Sequence, residues 1–234
     1  MFHPQGPSFL ELVVQCLSST ARGYDLLAPK FDLTPFRTPD EVLKVAVSEI
    51  GSAGAALDVC CGTGAAMRAL RPICRERVVG VDFSLGMLEV ARQRTAGAEG
   101  SARLEFVEGD VLEMSFREEF DLAVCFGAFG HILPRDEPRF VLGIHRSLKP
   151  GGRFVFVSSR MPPLLSTRAL KARLFNGAMR VRNFLVRPPF IMYYLTFLLP
   201  EAQRLLERSG FEVEVRPGLF GAPFDALELV VARA

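Results

Sequence analysis

The residues with the clearest chemical potential form the run Leu57-Asp58-Val59-Cys60-Cys61-Gly62-Thr63-Gly64, which passes directly into the helix-forming Ala65-Ala66-Met67-Arg68-Ala69-Leu70. A glycine turn between a strand and a helix lets backbone N–H groups approach a ligand closely at the positive end of the helix. Twenty residues after Gly62, Asp82 closes the β-rich run Val79-Gly80-Val81-Asp82. A carboxylate at that position accepts hydrogen bonds from both hydroxyls of a ribose. Together these signals predict a site for a nucleoside-containing cofactor. Capping of a helix or loop is the alternative role for Asp58 and Asp82, and Ser84 reads as the N-cap of the helical run that follows. The dinucleotide fingerprint G-x-G-x-x-G fails, because its third position falls on Met67.

The elements that must position these residues alternate. Ala55 to Cys60, Arg77 to Val81, Arg103 to Glu108, Phe120 to Phe126 and Gly152 to Ser158 read as buried strands, with helical patterns around 65–74, 85–95 and 136–148. Strands alternating with helices predict a doubly wound parallel sheet. A helix over Pro200 to Ser209 and strands over Phe211 to Arg216 and Ala226 to Ala232 follow. The connection between these last strands is too short for a helical crossover, so they are expected to pair antiparallel. The chain thus divides into an N-terminal helical cover (1–50, two helices around a Pro-rich loop), a Rossmann-like core (51–159), an inserted segment (160–199) and a closing helix and strand pair (200–234).

Five motifs in this order resemble the class I S-adenosylmethionine-dependent methyltransferases: Asp58 to Gly64, Val81-Asp82-Phe83-Ser84, Glu108-Gly109-Asp110-Val111, Phe120-Asp121-Leu122-Ala123 and Leu148-Lys149-Pro150-Gly151-Gly152-Arg153-Phe154. Each is weak alone; their order and spacing make them specific. The resemblance implies S-adenosyl-L-methionine as cofactor and an α/β, Rossmann-like, mostly parallel seven-stranded sheet ending in an antiparallel hairpin. It further implies that Gly62 and Gly64 bracket the methionine end, that Asp58 holds the ammonium group and that Asp82 binds the ribose. Phe83 and Met87 would pack on the adenine, Asp110 with the Val111 backbone would read its amino edge, and Gly109 and Phe126 join the cofactor set. Cys60 stands where the family usually has its first motif glycine, a replacement compatible with negative φ.

Methyl transfer from a sulfonium depends mainly on in-line positioning, so a base is optional. The candidate base is His131, in Phe126-Gly127-Ala128-Phe129-Gly130-His131, whose near-neutral pKa suits deprotonation of a phenol, amine or acidic carbon. Packing and orientation is its other reading. Tyr24-Asp25 resembles the N-terminal segment of ubiquinone/menaquinone-type and phospholipid methyltransferases, in which the Tyr helps to cover the cofactor. Anchoring of an N-terminal helix is the alternative.

Composition narrows the function further. The 234 residues are 49% hydrophobic and 23% charged, which excludes a disordered or collagen-like chain. Cys16, Cys60, Cys61, Cys74 and Cys125 contain no C-x-x-C spacing, so neither a disulfide scaffold nor a zinc site is expected. The longest apolar stretch, Phe190 to Leu199, is half of the ~20 residues that cross a bilayer, and the N-terminus carries no secretory signal pattern. A cytoplasmic protein is expected. Between Glu137 and Glu201 lie eleven of the 28 basic residues and none of the 26 acidic ones. This block suits an anionic partner or a solvated basic face. The segment 160–199 also carries Leu164, Leu165, Leu170, Leu174, Phe175, Met179, Val181, Phe184 and Leu185, which do not gather into one helical stripe. It is expected to be a lid whose apolar side faces the domain and whose Arg168, Lys171 and Arg173 meet an anionic, lipid-like acceptor or make a peripheral membrane contact. Methylation of a small molecule is the leading function. The alternatives are an inactive cofactor-binding scaffold and a nucleic-acid methyltransferase, the latter weakened by the absence of an Asn/Asp-Pro-Pro-aromatic motif. Oligomeric state has no signature in the sequence.

Overall fold

Every residue of the strand β1 (Ala53–Val59) is buried, as a central strand covered on both faces requires. The structure, a computed structural model, describes residues 3–234; residues 1 and 2 of the expected N-terminal cover lie outside it. The remaining strands are β2 (Cys74–Asp82), β3 (Arg103–Glu108), β4 (Phe120–Cys125), β5 (Leu148–Ser159), β6 (Glu212–Arg216) and β7 (Leu227–Arg233). They form one sheet of order β3-β2-β1-β4-β5-β7-β6, with β7 antiparallel to both neighbours. Parallel register sets Val59 opposite Val81 and Asp58 opposite Val124. This brings Asp58, Asp82 and Cys125 to the carboxyl edge of the strands, where open α/β sheets bind ligands.

The helices are α1 (Phe9–Leu17), α2 (Thr20–Leu27), α3 (Asp40–Ile50), α4 (Ala65–Leu70), α5 (Leu85–Thr95), α6 (Glu137–Ser147), α7 (Thr167–Leu185) and α8 (Glu201–Arg208). On one face of the sheet Phe140 and Ile144 of α6 and Leu206 of α8 pack with Leu57 and Val59. On the other, Leu43 of α3, Met67 and Leu70 of α4 and Leu88 of α5 pack with Ala56 and Val78. Each buried Leu, Ile, Val, Phe and Met among these contributes about 1.5–3 kcal/mol. Met67 fits because β2 offers it a glycine: a Cβ on Gly80 would stand 2.4 Å from the Met67 sulfur. The close helix–strand approach that a dinucleotide fold obtains from its third glycine is therefore filled here by a methionine side chain.

Two expectations need correction. The N-terminal region has three α-helices and a 3-10 turn (Ala28–Leu33) instead of two helices, because two serines each start one. Ser8 and Glu11 close a capping box, and Ser19 accepts a hydrogen bond from the Arg22 amide at 3.2 Å. In the segment 160–199, most of the apolar residues expected to face the domain face solvent: Leu164, Leu165, Leu170, Leu174, Val181, Phe184 and Leu185 are exposed, Phe175 is half-buried and only Met179 is buried. The nine fail to form one stripe because α7 is apolar on two opposite sides.

After α7 an irregular strip, 186–199, runs back over the sheet edge, hung on two asparagines one heptad apart. Asn183 accepts from the Phe190 amide at 2.9 Å and donates to its carbonyl at 3.0 Å. Asn176 does the same for Tyr194, at 2.8 Å each way. The strip docks through the Tyr193 amide, which donates to the Gly130 carbonyl at 2.8 Å. Gly130 is needed there, since a Cβ would lie 2.6 Å from the Tyr193 carbonyl oxygen.

Candidate active site

The ends of β1, β2, β4 and β5, the loop before α3 and the strip 186–199 enclose a cavity of about 450 Å³. Its lining includes Tyr24, Asp58, Cys60, Gly62, Asp82, Phe83, Met87, Phe126 and His131. Nine of the residues singled out in the sequence are thus brought together. Four are not part of this lining. Gly64 is turned towards α5, within van der Waals reach of Ala91 and Thr95, and Val111 is buried in the core. The Gly109 amide donates to the Asp82 carbonyl at 3.0 Å. Asp110 is exposed and caps the turn Val111–Glu113 by accepting from the Leu112 amide at 2.9 Å.

Asp82 accepts one hydrogen bond on each oxygen, from the Gly62 and Ser84 amides at 2.9 Å. Burial raises its pKa to about 6, against the pull of the Ser84 and Gly62 amides. The Asp82 carboxylate thus anchors the glycine turn and keeps lone pairs for a diol. Asp58 lies deeper. Burial, reinforced by the charge of Asp82, raises its pKa to about 8, although the Met67 amide pulls the other way. Cys60 corrects an expectation: its φ is +60°, in the left-handed region that favours glycine, which costs about 1–2 kcal/mol. A hydrogen bond with the Cys125 thiol, reinforced by burial, holds its thiol well above the ordinary value.

Two buried polar atoms of the lining residues lack a hydrogen-bond partner, Asp58 Oδ2 and Arg37 Nε. Asp58 Oδ2 can thus pair with a ligand cation, whereas the Arg37 guanidinium is already ion-paired with Asp40 and Asp32 and only its Nε–H remains to donate to a ligand. An orphaned carboxylate and an orphaned guanidinium N–H suit the ammonium and carboxylate of an amino acid. With Asp82 available for a ribose, the residues present fit S-adenosyl-L-methionine. Arg37 escaped the sequence reading because it lies in a Pro-rich loop with no diagnostic spacing. So did Asp32, which accepts from Thr63 Oγ1 at 2.5 Å and stands 3.7 Å from Arg37 Nε, tying that loop to the glycine turn.

Tyr24 and His131 form one unit. His131 Nδ1 lies 2.6 Å from the Ile191 carbonyl, which only accepts, so Nδ1 carries the proton. Nε2 is then an acceptor, and the Tyr24 hydroxyl donates to it at 2.8 Å. Burial lowers the His131 pKa and keeps the ring neutral. Burial, with the charge of Asp82, raises that of Tyr24. Aromatic rings surround Tyr24: Phe190 stacks on it at 6.1 Å, and Phe31, Phe83 and His131 meet it edge-on. Its neighbour Asp25 has a structural role, accepting from Ser84 Oγ at 2.6 Å and the Gly86 amide at 2.9 Å at the start of α5.

A doubly wound sheet closed by an inserted antiparallel strand, with a glycine turn and two carboxylates at its carboxyl edge, defines a nucleoside-cofactor enzyme of the Rossmann-like class. Residues 56–152 match the family model described as a methyltransferase domain. The chain is 33% identical over 190 residues to demethylmenaquinone methyltransferase of Staphylococcus aureus, covering 74% of each chain. Among solved structures it is similar to the DhpI complex with SAH (TM-score 0.66, 17% identity, covering 97% of this chain and 98% of that one). It is also similar to magnesium protoporphyrin IX methyltransferase from Synechocystis PCC 6803 (TM-score 0.60, 15% identity, covering 83% and 82%). The chain belongs to the class I S-adenosylmethionine-dependent methyltransferases, and it is a small-molecule methyltransferase whose cofactor is S-adenosyl-L-methionine.

Proposed function

We propose that the acceptor is a small amphiphile with an apolar body and an anionic end. The observation that carries this reading is a second cavity, of about 1020 Å³, that shares Ser159, Tyr194, Leu195 and Leu198 with the lining of the first. It runs beneath the N-terminal half of α7 past Met161, Pro162 and Phe175. Its charged lining is Arg160, Arg168, Lys171, Asp225 and Glu228. Arg160 and Glu228 neutralise each other at 2.8 Å, which leaves two cations against one acid. A head group reaching the first cavity would lie beside Tyr24 and His131.

S-adenosyl-L-methionine supplies a methyl group on a sulfonium, an activated donor. Asp58 and Arg37 would grip the two charges of its amino-acid end and Asp82 its ribose, fixing where the methyl group lies. Tyr24 would take the acceptor's proton at its hydroxyl oxygen while passing its own to His131 Nε2, and the Ile191 carbonyl holds that imidazole in the receiving tautomer. The aromatic walls exclude water, so the acceptor is the nucleophile present.

Demethylmenaquinone, named for the Staphylococcus aureus relative, is the first acceptor to assay, alongside alkylated hydroxyaromatic acids and their neutral analogues. Arg168→Ala with Lys171→Ala should raise KM for the acidic acceptors about tenfold and leave SAH affinity unchanged. Equal KM values for acidic and neutral acceptors in both proteins would refute the anionic part of this reading.

A further inference from the structure

α7 is buried on one side through Ala169, Met179 and the two asparagines, and on the opposite side it exposes Leu170, Leu174, Val181, Phe184 and Leu185. At about 100° per residue these five fall within a stripe roughly 100° wide, with Gly177 and Ala178 completing its surface. Large apolar side chains are seldom exposed in one contiguous row without a partner. Arg173 and Arg180, seven residues apart, follow one border of the stripe, Lys171 stands on the other, and Arg187 follows just beyond the end of the helix; all four are exposed. Among the described residues none of the four is in an ion pair, and the chain has no Asp or Glu from 138 to 200.

A second stripe adjoins the first. Helix α1 exposes Phe9, Leu10, Val14 and Leu17. Arg182 Nη2 donates to the carbonyl of Ser18, next to Leu17, at 2.8 Å, which joins the last turn of α7 to the end of α1. No helix among the described residues is long and apolar enough to cross a membrane.

We infer that this surface docks on an anionic bilayer, with α7 lying in the plane of the interface. The stripe inserts among the acyl chains while the arginine and lysine stems, lying along its borders, carry their charges back to the lipid phosphates. A second copy of the chain would match the apolar stripes but would set the unpaired arginine row against a like row. Anionic lipid is the occupant that satisfies both. The inference does not rest on the acceptor proposed above, and the substitutions that test it leave Arg168 and Lys171, which line the second cavity, unchanged.

The chain has no tryptophan, so Phe184→Trp gives a single reporter. With vesicles of phosphatidylcholine containing phosphatidylglycerol, its emission should shift to the blue and be quenched by acyl-chain-brominated lipid. With pure phosphatidylcholine it should stay unshifted. Unmodified protein should float with the anionic vesicles. Arg173→Glu with Arg180→Glu and Arg187→Glu should lower the partition coefficient about tenfold or more, as should Leu174→Asp with Phe184→Asp. Both variants should bind SAH as the unmodified protein does, which certifies their folding; the tryptophan reporter tests the idea independently if either fails to fold. Absence of flotation at low salt, an unshifted reporter, or binding that survives both sets of substitutions would overturn the inference. So would a dimer in light scattering that Leu174→Asp dissociates while vesicles bind neither form.

Discussion

Tyr24 and His131 are 107 residues apart in the chain, yet a single 2.8 Å hydrogen bond joins them across the cofactor cavity, linking α2 to the loop that leaves β4. The bond has a direction, set by the Ile191 carbonyl on the far side of the imidazole. In this pair the histidine is the hydrogen-bond acceptor and the tyrosine the donor.

If the two act as one relay, their losses are not additive. Tyr24→Phe and His131→Gln should each lower kcat about 10²-fold or more, and the double variant should be little worse than either. The rate should fall with acid only below the ordinary histidine value of 6.5, since burial lowers the His131 pKa and the ring must be neutral to accept. Independent, multiplying losses with an unchanged pH profile would leave both residues as packing.

Asp58 ties cofactor binding to pH, with opposite signs for affinity and stability. Its pKa in the ligand-free protein is about 8, and only the carboxylate can pair with an ammonium, so SAH affinity should rise between pH 6.5 and 7.5 by up to about tenfold per unit. Titration calorimetry on Asp58→Asn should show weak binding without this slope. The stability contribution runs the other way. The folded pKa is raised above the ordinary aspartate value of 3.8, so the stabilisation is fully present below that value and is lost as pH rises through about 8. Ligand-free Asp58→Asn should thus melt higher than the unmodified protein at pH 8. A variant with lower Tm and unaltered SAH affinity would make Asp58 a structural residue.

The orphaned Arg37 Nε makes a companion test at the other end of the cofactor. Arg37→Ala should weaken SAH binding about tenfold or more, as expected for loss of a charge-assisted hydrogen bond. Adenosine, which lacks the amino-acid end, should bind both proteins equally. Equal losses for the two ligands would mean that the substitution disturbs the loop and not a carboxylate contact.

The central strands β1 and β4 were legible as short apolar runs, and helix signals such as Ser84 and Gly210 marked the crossovers; β3 was read as a buried strand, but at the edge of the sheet none of its residues is buried. That Asp58, Gly62 and Asp82 meet in one cavity was legible because they close consecutive parallel strands or the turn between strand and helix. Arg37 and the Asn176/Asn183 pair were not, since their roles come from a loop and a strip that fold back over the sheet with no periodic pattern. The outward stripe of α7 was hidden by its own second apolar side: periodicity reports one amphipathic face and blurs two. The backbone of Cys60 was misjudged for another reason. Its φ is imposed by the turn that delivers Gly62 to Asp82, a tertiary constraint invisible in the residue itself.

That strained position separates two substitutions. Cys60→Gly should keep SAH affinity within about threefold, because glycine adopts the left-handed conformation without the ~1 kcal/mol that a side chain pays. Cys60→Val should lower Tm by about 4 °C or more and weaken SAH binding, since a β-branched residue tolerates that φ least. Similar Tm values for the two variants would place the turn outside the left-handed region.

The strip that walls the cavity depends on Asn183, whose side chain imitates a strand's backbone by bonding both to the amide and to the carbonyl of Phe190. Phe190 in turn stacks on Tyr24 at 6.1 Å, so the asparagine reaches the relay through one ring. Replacing it with alanine leaves the Phe190 amide and carbonyl without these partners, at about 1–3 kcal/mol for each group that stays buried. The strip should then open more often, exposing the site to water and to loss of acceptor. Asn183→Ala is expected to raise acceptor KM several-fold and to speed SAH dissociation in stopped flow, with a smaller loss of kcat. Asn183→Asp keeps the bond from the Phe190 amide and loses the one to its carbonyl, so it should fall between the two. An alanine variant with unaltered SAH dissociation and acceptor KM would show that the Asn183 clasp has no part in closing the site.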